Sequence, residues 1–166
     1  PWHAPVADGW VYNVPFKAVN VLTGEVREYT DGTPQGGSVS VLLPYDGRLF
    51  VGGTDMFGSL FLWDPNTGQA EIWGRPLPEL GQEGGEEIAP IAGLAWGSDG
   101  FLYATIGPGA SSRPGSHLVR VDRSGKVLAS TWLPDPVWGL TPGADGRIYG
   151  TGSSRVVVIP TEGQIR

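Results

Sequence analysis

Residues 37–74, GSVSVLLPYDGRLFVGGTDMFGSLFLWDPNTGQAEIWG, hold four short runs with strand character, at 38–43, 48–52, 59–63 and 69–73. An Asp46-Gly47 turn separates the first two, and an Asn66-Thr67-Gly68 turn separates the last two. Asp-Gly between apolar runs is a hairpin signal. Glycine supplies a positive φ, and aspartate bonds its own backbone and tolerates the left-handed region. One such stretch therefore predicts one small antiparallel sheet of four strands.

The unit recurs. Asp-Gly followed by an apolar run stands at Asp8-Gly9-Trp10-Val11-Tyr12, Asp46-Gly47-Arg48-Leu49-Phe50, Asp99-Gly100-Phe101-Leu102-Tyr103 and Asp145-Gly146-Arg147-Ile148-Tyr149. Each copy has a second turn glycine downstream: Gly24, Gly68, Gly125 and Gly163. A period of roughly 40–50 residues with four strands per period is the signature of a propeller blade. The expected fold is an all-β β-propeller built from four four-stranded antiparallel blades, at about 1–31, 37–74, 90–133 and 137–166, in a single domain over 1–166. The runs Leu60-Phe61-Leu62-Trp63 and Val156-Val157-Val158-Ile159 are apolar on both faces, as strands between stacked layers are. Glu25-Val26-Arg27-Glu28-Tyr29 mixes charge with apolar residues, as a solvated outer strand does. A β-sandwich of similar strand count is the rival, but a sandwich needs no blade-length repeat.

Composition narrows the function classes. The chain has 166 residues, enough for one domain that buries roughly 70% of its unfolded surface. Its 27 glycines and 15 prolines approach the disordered range, but 40% hydrophobic content and seven tryptophans assign them to turns. Net charge is −6 and there is no basic cluster, so nucleic acid and anionic membranes are not expected partners. The absence of cysteine removes disulfides, thiolate nucleophiles and cysteine metal sites. No apolar run approaches 18 residues. The chain begins at Pro1 without Met, which reads as a processed product or an excised piece, with an extracellular or periplasmic location expected.

Function is expected on the loops. The longest connection, GRPLPELGQEGGEEIAP at 74–90, is broken by glycine and proline and carries Glu79, Glu83, Glu86 and Glu87. It reads as a solvated loop. A hard-cation site, with calcium as the example, is the alternative, although the Asp-x-Asp-x-Asp spacing is absent. Otherwise no cofactor is expected. Loops 53–58 and 107–116 join second to third strands, and in a propeller these open on the same face as the links between blades. That face would gather Asp55, Phe57, Arg113 and the acidic loop with the strand starts Trp2, His3 and Trp138. The candidate ligand-binding residues are thus Trp2, His3, Asp55, Phe57, Arg113 and Trp138. Sugar faces stack on aromatic rings, which keeps a carbohydrate ligand open. Trp63, Trp73, Trp96 and Trp132 are expected to pack between blades. No Gly-x-Ser-x-Gly elbow, HExxH, P-loop or dinucleotide fingerprint occurs, and His3 and His117 form no constellation, so no catalytic residue is assigned.

The blades resemble the broad superfamily of bacterial repeat propellers that includes NHL, gluconolactonase-like, streptogramin-lyase-like and quinoprotein-like groups. Leu62-Trp63-Asp64-Pro65-Asn66-Thr67-Gly68 is similar to the Asp-x-x-Thr-Gly turn of quinoprotein blades, with Trp73 one place beyond that motif's tryptophan. The resemblance implies propeller blades. Gluconolactonase-like enzymes hold calcium or zinc with a Glu, Asn and Asp set, but Asn13, Asn20 and Asn66 stand outside the matching context. Streptogramin-lyase-like enzymes use late-blade histidines, and none follows His117. The expectation is a non-catalytic binding or scaffold module that takes a small molecule, carbohydrate or protein on its loop face. The alternative is a lyase or hydrolase acting on a carbohydrate or lactone, with or without a divalent cation. Four blades are fewer than these groups' usual six to eight. An excised fragment, a compact four-bladed ring and a homodimer completing an eight-bladed ring all fit that count.

Overall fold

Within each sheet every strand pairs with the next one in sequence, so no sheet needs a crossover. In the computed structural model the described residues are 6–7, 9–13, 17–29, 39–46, 50–54, 58–77, 90–107, 115–152 and 155–161. Among them are fifteen strands and no helix. The first sheet contains β1 (Val6–Ala7), β2 (Trp10–Asn13), β3 (Lys17–Asn20) and β4 (Val26–Glu28). The second contains β5 (Val39–Pro44), β6 (Phe50–Thr54), β7 (Leu60–Trp63) and β8 (Ala70–Gly74). The third contains β9 (Ile91–Trp96), β10 (Leu102–Ile106), β11 (Ser116–Val121) and β12 (Val127–Leu133). The fourth contains β13 (Val137–Pro142), β14 (Ile148–Gly152) and β15 (Val156–Ile159). All pairings are antiparallel, and the strand order within each sheet is the sequence order. This is the all-β, blade-like arrangement that the repeat predicts. The fourth sheet has three strands among the described residues, and residues 162–166, where a fourth strand was expected, lie outside them.

The repeat is explained by its hydrogen bonds. In the third sheet Asp99 Oδ1 accepts the Phe101 N–H, and Tyr103 Oη–H donates to Asp99 Oδ2 at 2.7 Å. In the fourth, Asp145 does the same for the Arg147 N–H and the Tyr149 hydroxyl, again at 2.7 Å. Gly100 and Gly146 take φ of 80° and 81°, which a side chain would resist. One carboxylate thus clamps both ends of the turn, and the motif extends four residues, to the tyrosine. The second turn is equally conserved in form. Asn20, Asp64 and Asp122 occupy equivalent positions, and each side-chain Oδ1 accepts backbone N–H groups two or more residues ahead.

Neighbouring sheets pack face to face. Trp63 of β7 is buried between the first two sheets, where Tyr12 and Tyr29 meet it edge-on with centroids 5.7 and 4.9 Å away. Leu60, Ile91, Leu102, Val119 and Val121 fill the second interface. Tyr103, Leu118, Val137, Ile148 and Ile159 fill the third. The innermost strands of the third and fourth sheets pack backbone to backbone. A Cβ on Gly93 would lie 2.9 Å from the Leu140 backbone nitrogen, so only glycine lets β9 and β13 approach this far. The Ser40 hydroxyl, on β5, donates to the Ile91 carbonyl of β9 at 2.5 Å, fixing the second sheet to the third.

Two sequence expectations need correction. The strand 156–159 is not sandwiched: Val156 is 63% and Val158 48% exposed, because among the described residues no sheet covers that side of the fourth one. Trp132 does not pack between sheets either. It is 43% exposed on the outermost strand, whereas Trp63, Trp73 and Trp96 do contribute to inter-sheet clusters.

Candidate functional site

The end of the sheets at which second strands run into third strands, and one sheet links to the next, was the expected functional face. In the third and fourth sheets this end is well described. β10 finishes at Ile106 opposite His117, β12 finishes at Leu133 opposite Ser116, and β13 begins at Val137. The link between the two sheets is short and is held from below: the buried Ser116 hydroxyl accepts the Val137 N–H at 2.9 Å. That bond sets where the next residue, Trp138, emerges.

Trp138 is 45% exposed, and its indole stands beside Gly107. A methyl group on Gly107 would sit 3.5 Å from the indole, from the Pro90 ring and from the Ala92 side chain. Trp132 emerges at the other foot of the same connection. Its ring covers Gly115 so closely that any side chain there would overlap it, and φ of 145° at Gly115 also favours glycine. His117 meets Trp132 edge-on, with ring centroids 4.7 Å apart. Two partly exposed indoles therefore stand at the feet of segment 108–114, one on Gly107 and one on Gly115. Asp135, in the link, pairs with Arg155 at 3.6 Å and adds charges of both signs to this end. Such a surface can stack a flat or ring-shaped ligand on an indole face while polar groups bond its substituents.

Of the six candidate residues, the described structure contains Trp138 alone. Trp2, His3, Asp55, Phe57 and Arg113 lie outside the described residues, as do Glu79, Glu83, Glu86 and Glu87 of the proposed cation loop. Among the described residues no three histidine or acidic side chains gather where they could hold a metal ion. Sequence reasoning missed Trp132 and the supporting glycines. The available signal was Gly115: a glycine directly before an apolar strand marks close approach by another group.

The opposite end is built for rigidity. Burial first, and then its hydrogen bond to the Asp99 carboxylate, push the Tyr103 hydroxyl up to about 12. The Arg120 side chain opposes this by favouring the phenolate. Nearby, the Ser98 hydroxyl donates to the Gly146 carbonyl at 2.9 Å, tying the third sheet to the fourth, and the Thr161 hydroxyl donates to the same carbonyl at 2.7 Å. Tyr45 lies between Trp73 and Trp96 at this end, with ring centroids 5.9 and 5.6 Å away; it donates to the Arg123 carbonyl at 3.0 Å, and the Trp96 indole N–H donates to the Pro44 carbonyl at 2.8 Å.

No protein-family model and no curated protein sequence matches the chain. Solved structures do. A catalytically inactive variant of virginiamycin B lyase from Staphylococcus aureus, with quinupristin, is 17% identical and superposes with a TM-score of 0.62 over 98% of this chain and 56% of that one. A gluconolactonase-family structure is 14% identical, with a TM-score of 0.57 over 93% of this chain and 54% of that one. The extracellular domain assigned to a one-component system of B. thetaiotaomicron is 16% identical, with a TM-score of 0.55 over 90% of this chain and 19% of that one. The chain thus spans from about a fifth to a little over half the length of these structures, and the likeness is one of propeller-like fold.

Proposed function

We propose that this chain is a binding module of propeller blades. Its ligand, a small molecule or carbohydrate with a flat or ring-shaped face, docks at the end of the third and fourth sheets. The observation that carries this reading is the pair of partly exposed indoles, Trp138 and Trp132, seated on Gly107 and Gly115 at the two feet of segment 108–114. Large aromatic side chains normally add core area. Here two stand partly exposed at the surface, and at Gly115 the absence of a side chain makes room for Trp132. Arg113, within the segment between them in sequence, would supply a hydrogen-bonding cation. An extracellular or periplasmic setting fits this role and is supported by the extracellular domains among the structural neighbours.

The test is calorimetric titration with a panel of neutral oligosaccharides, repeated on Trp138→Ala and Trp132→Ala. A stacking contribution of about 0.5–1.5 kcal/mol beyond area burial predicts that each variant weakens a detected ligand by roughly two- to tenfold or more. A ligand that binds both variants as it binds the parent sinks the proposed site. A second reading, a lyase or hydrolase acting on a carbohydrate or lactone, is favoured by the likeness to a lyase seen with quinupristin and to a gluconolactonase-family protein. It predicts conversion of quinupristin or a simple lactone, seen as a mass change. In its metal-dependent form, calcium, magnesium, manganese or zinc also raises Tm, because a ligand of the native state stabilises it by mass action.

A further inference from the structure

The three internal interfaces share one polarity. In each sheet one face looks back to the preceding sheet and the other looks forward to the next. Asn20, Asp64 and Asp122 align the third strands, and the residue before each, Val19, Trp63 and Val121, lies on the backward face. Trp63 and Val121 are buried there against the preceding sheet, as is Ile159, their equivalent in β15. Tyr12, Tyr103 and Tyr149, the tyrosines of the repeat, lie on the forward face. Tyr12 packs on Trp63 of the next sheet, and Tyr103 is buried against the fourth sheet.

Two faces in this series have no neighbour among the described residues. The backward face of the first sheet carries Val11, Val19 and Val26 in cross-strand register, with Val19 40% and Val26 56% exposed. The forward face of the fourth sheet carries Tyr149 opposite Val158, and Thr151 opposite Val156. The two uncovered faces are of opposite kind, so they complement each other as the buried pairs do. The exposure of all four valines shows that the chain's own first and fourth sheets do not cover each other.

We propose that a second copy of this chain occupies both faces. The forward face of the fourth sheet of each copy docks on the backward face of the first sheet of the other. Two such seams, related by a twofold axis, close a ring of eight sheets, a count within the range that propellers adopt. A second copy is the occupant because it carries both required faces, and each seam continues an interface that the chain already makes three times. In each seam Tyr149 stands where Tyr12 and Tyr103 stand, and Val19 of the other copy takes the place of Trp63 and Ile159.

The experiment combines solution mass with directed cross-linking on the 166-residue chain. Light scattering over a hundredfold dilution should give a constant mass of twice 17.6 kDa. Val158→Glu and Val19→Glu should each yield a monomer with an unchanged far-ultraviolet spectrum, since both side chains are substantially exposed in the single chain. As an independent readout, the chain has no cysteine, so Val19→Cys with Tyr149→Cys makes one unambiguous pair. Oxidation should give a disulfide-linked dimer on non-reducing gels. A parent mass of 17.6 kDa throughout the dilution overturns the proposal. So does a cross-link formed within one chain, or a mass that grows without limit as concentration rises.

Discussion

The backbone-to-backbone packing of β9 against β13 makes a sharp prediction. At Gly93 an added methyl group would lie 2.9 Å from the Leu140 nitrogen and 3.1 Å from the Gly139 carbonyl carbon. Both are backbone atoms of β13 and cannot rotate away. The Thr105 hydroxyl at 3.0 Å closes the remaining side. Gly93→Ala must therefore push the third and fourth sheets apart by several tenths of an ångström along the seam held by Val137, Leu140 and Ile148. Overpacking of this kind costs about 1–3 kcal/mol, which lowers Tm by roughly 2–4 °C per kcal/mol for a domain of this size. Gly107→Ala is the matched control. Its methyl group meets Ala92, Pro90 and Trp138 at 3.5 Å, ordinary contact, and its effect should stay within about 0.5 kcal/mol. Urea unfolding followed by circular dichroism and by tryptophan fluorescence gives both values. If Gly93→Ala proves as stable as Gly107→Ala, β9 and β13 are not packed backbone to backbone, and the inter-sheet geometry argued from them is wrong.

Trp63→Ala should cost about 3–5 kcal/mol, since a fully buried indole wedged between Tyr12 and Tyr29 leaves a cavity that two sheets cannot collapse; chemical unfolding measures it. Tyr103 gives a pH signature. Its hydroxyl is raised from 10.0 to about 12, so the native state retains the proton longer than the unfolded chain does. Stability should be full below pH 10 and fall between pH 10 and 12, and Tyr103→Phe should flatten that fall in melts run across the window. The Asp122 carboxyl is held below its ordinary value, chiefly by the Ser124 hydroxyl and then by backbone N–H groups. Its contribution is present above pH 3.8 and is lost as pH drops through the lowered value. Asp122→Asn keeps the accepting oxygen that Asn20 uses at the equivalent turn, so it should fold normally at pH 7 and show a weaker acid limb.

The Asp-Gly-x-apolar-aromatic repeat made the sheet count and strand order legible, because hairpin turns are local. Asp99 bonds a residue two places on, and its glycine needs a positive φ that few other residues tolerate. The tyrosine partner four residues on was in plain view in three of the four copies, but its hydroxyl bond is a geometric fact that no spacing rule states. Of the candidate residues, Trp138 lies at a strand start, where its place in the sequence puts it. Trp132 was assigned to the interior because an indole in an alternating strand resembles a core residue. Whether its face is covered depends on where the neighbouring sheet lies, and β12 is the outermost strand of its sheet.

By itself the sequence determined the local units: which segments are strands, where they turn, and that each copy builds one antiparallel sheet. Those outcomes depend on residues within a few positions of one another. The tertiary structure decided which faces of those sheets meet. Gly93 and Ile91 stand two places apart on β9, but one admits the backbone of β13 and the other fills a core. Val157 and Val158 are adjacent and identical, yet one packs against the third sheet and the other faces outward. Burial is a property of the neighbour across the interface. Contacts made over fifty residues of separation, such as Ser40 with Ile91, select it.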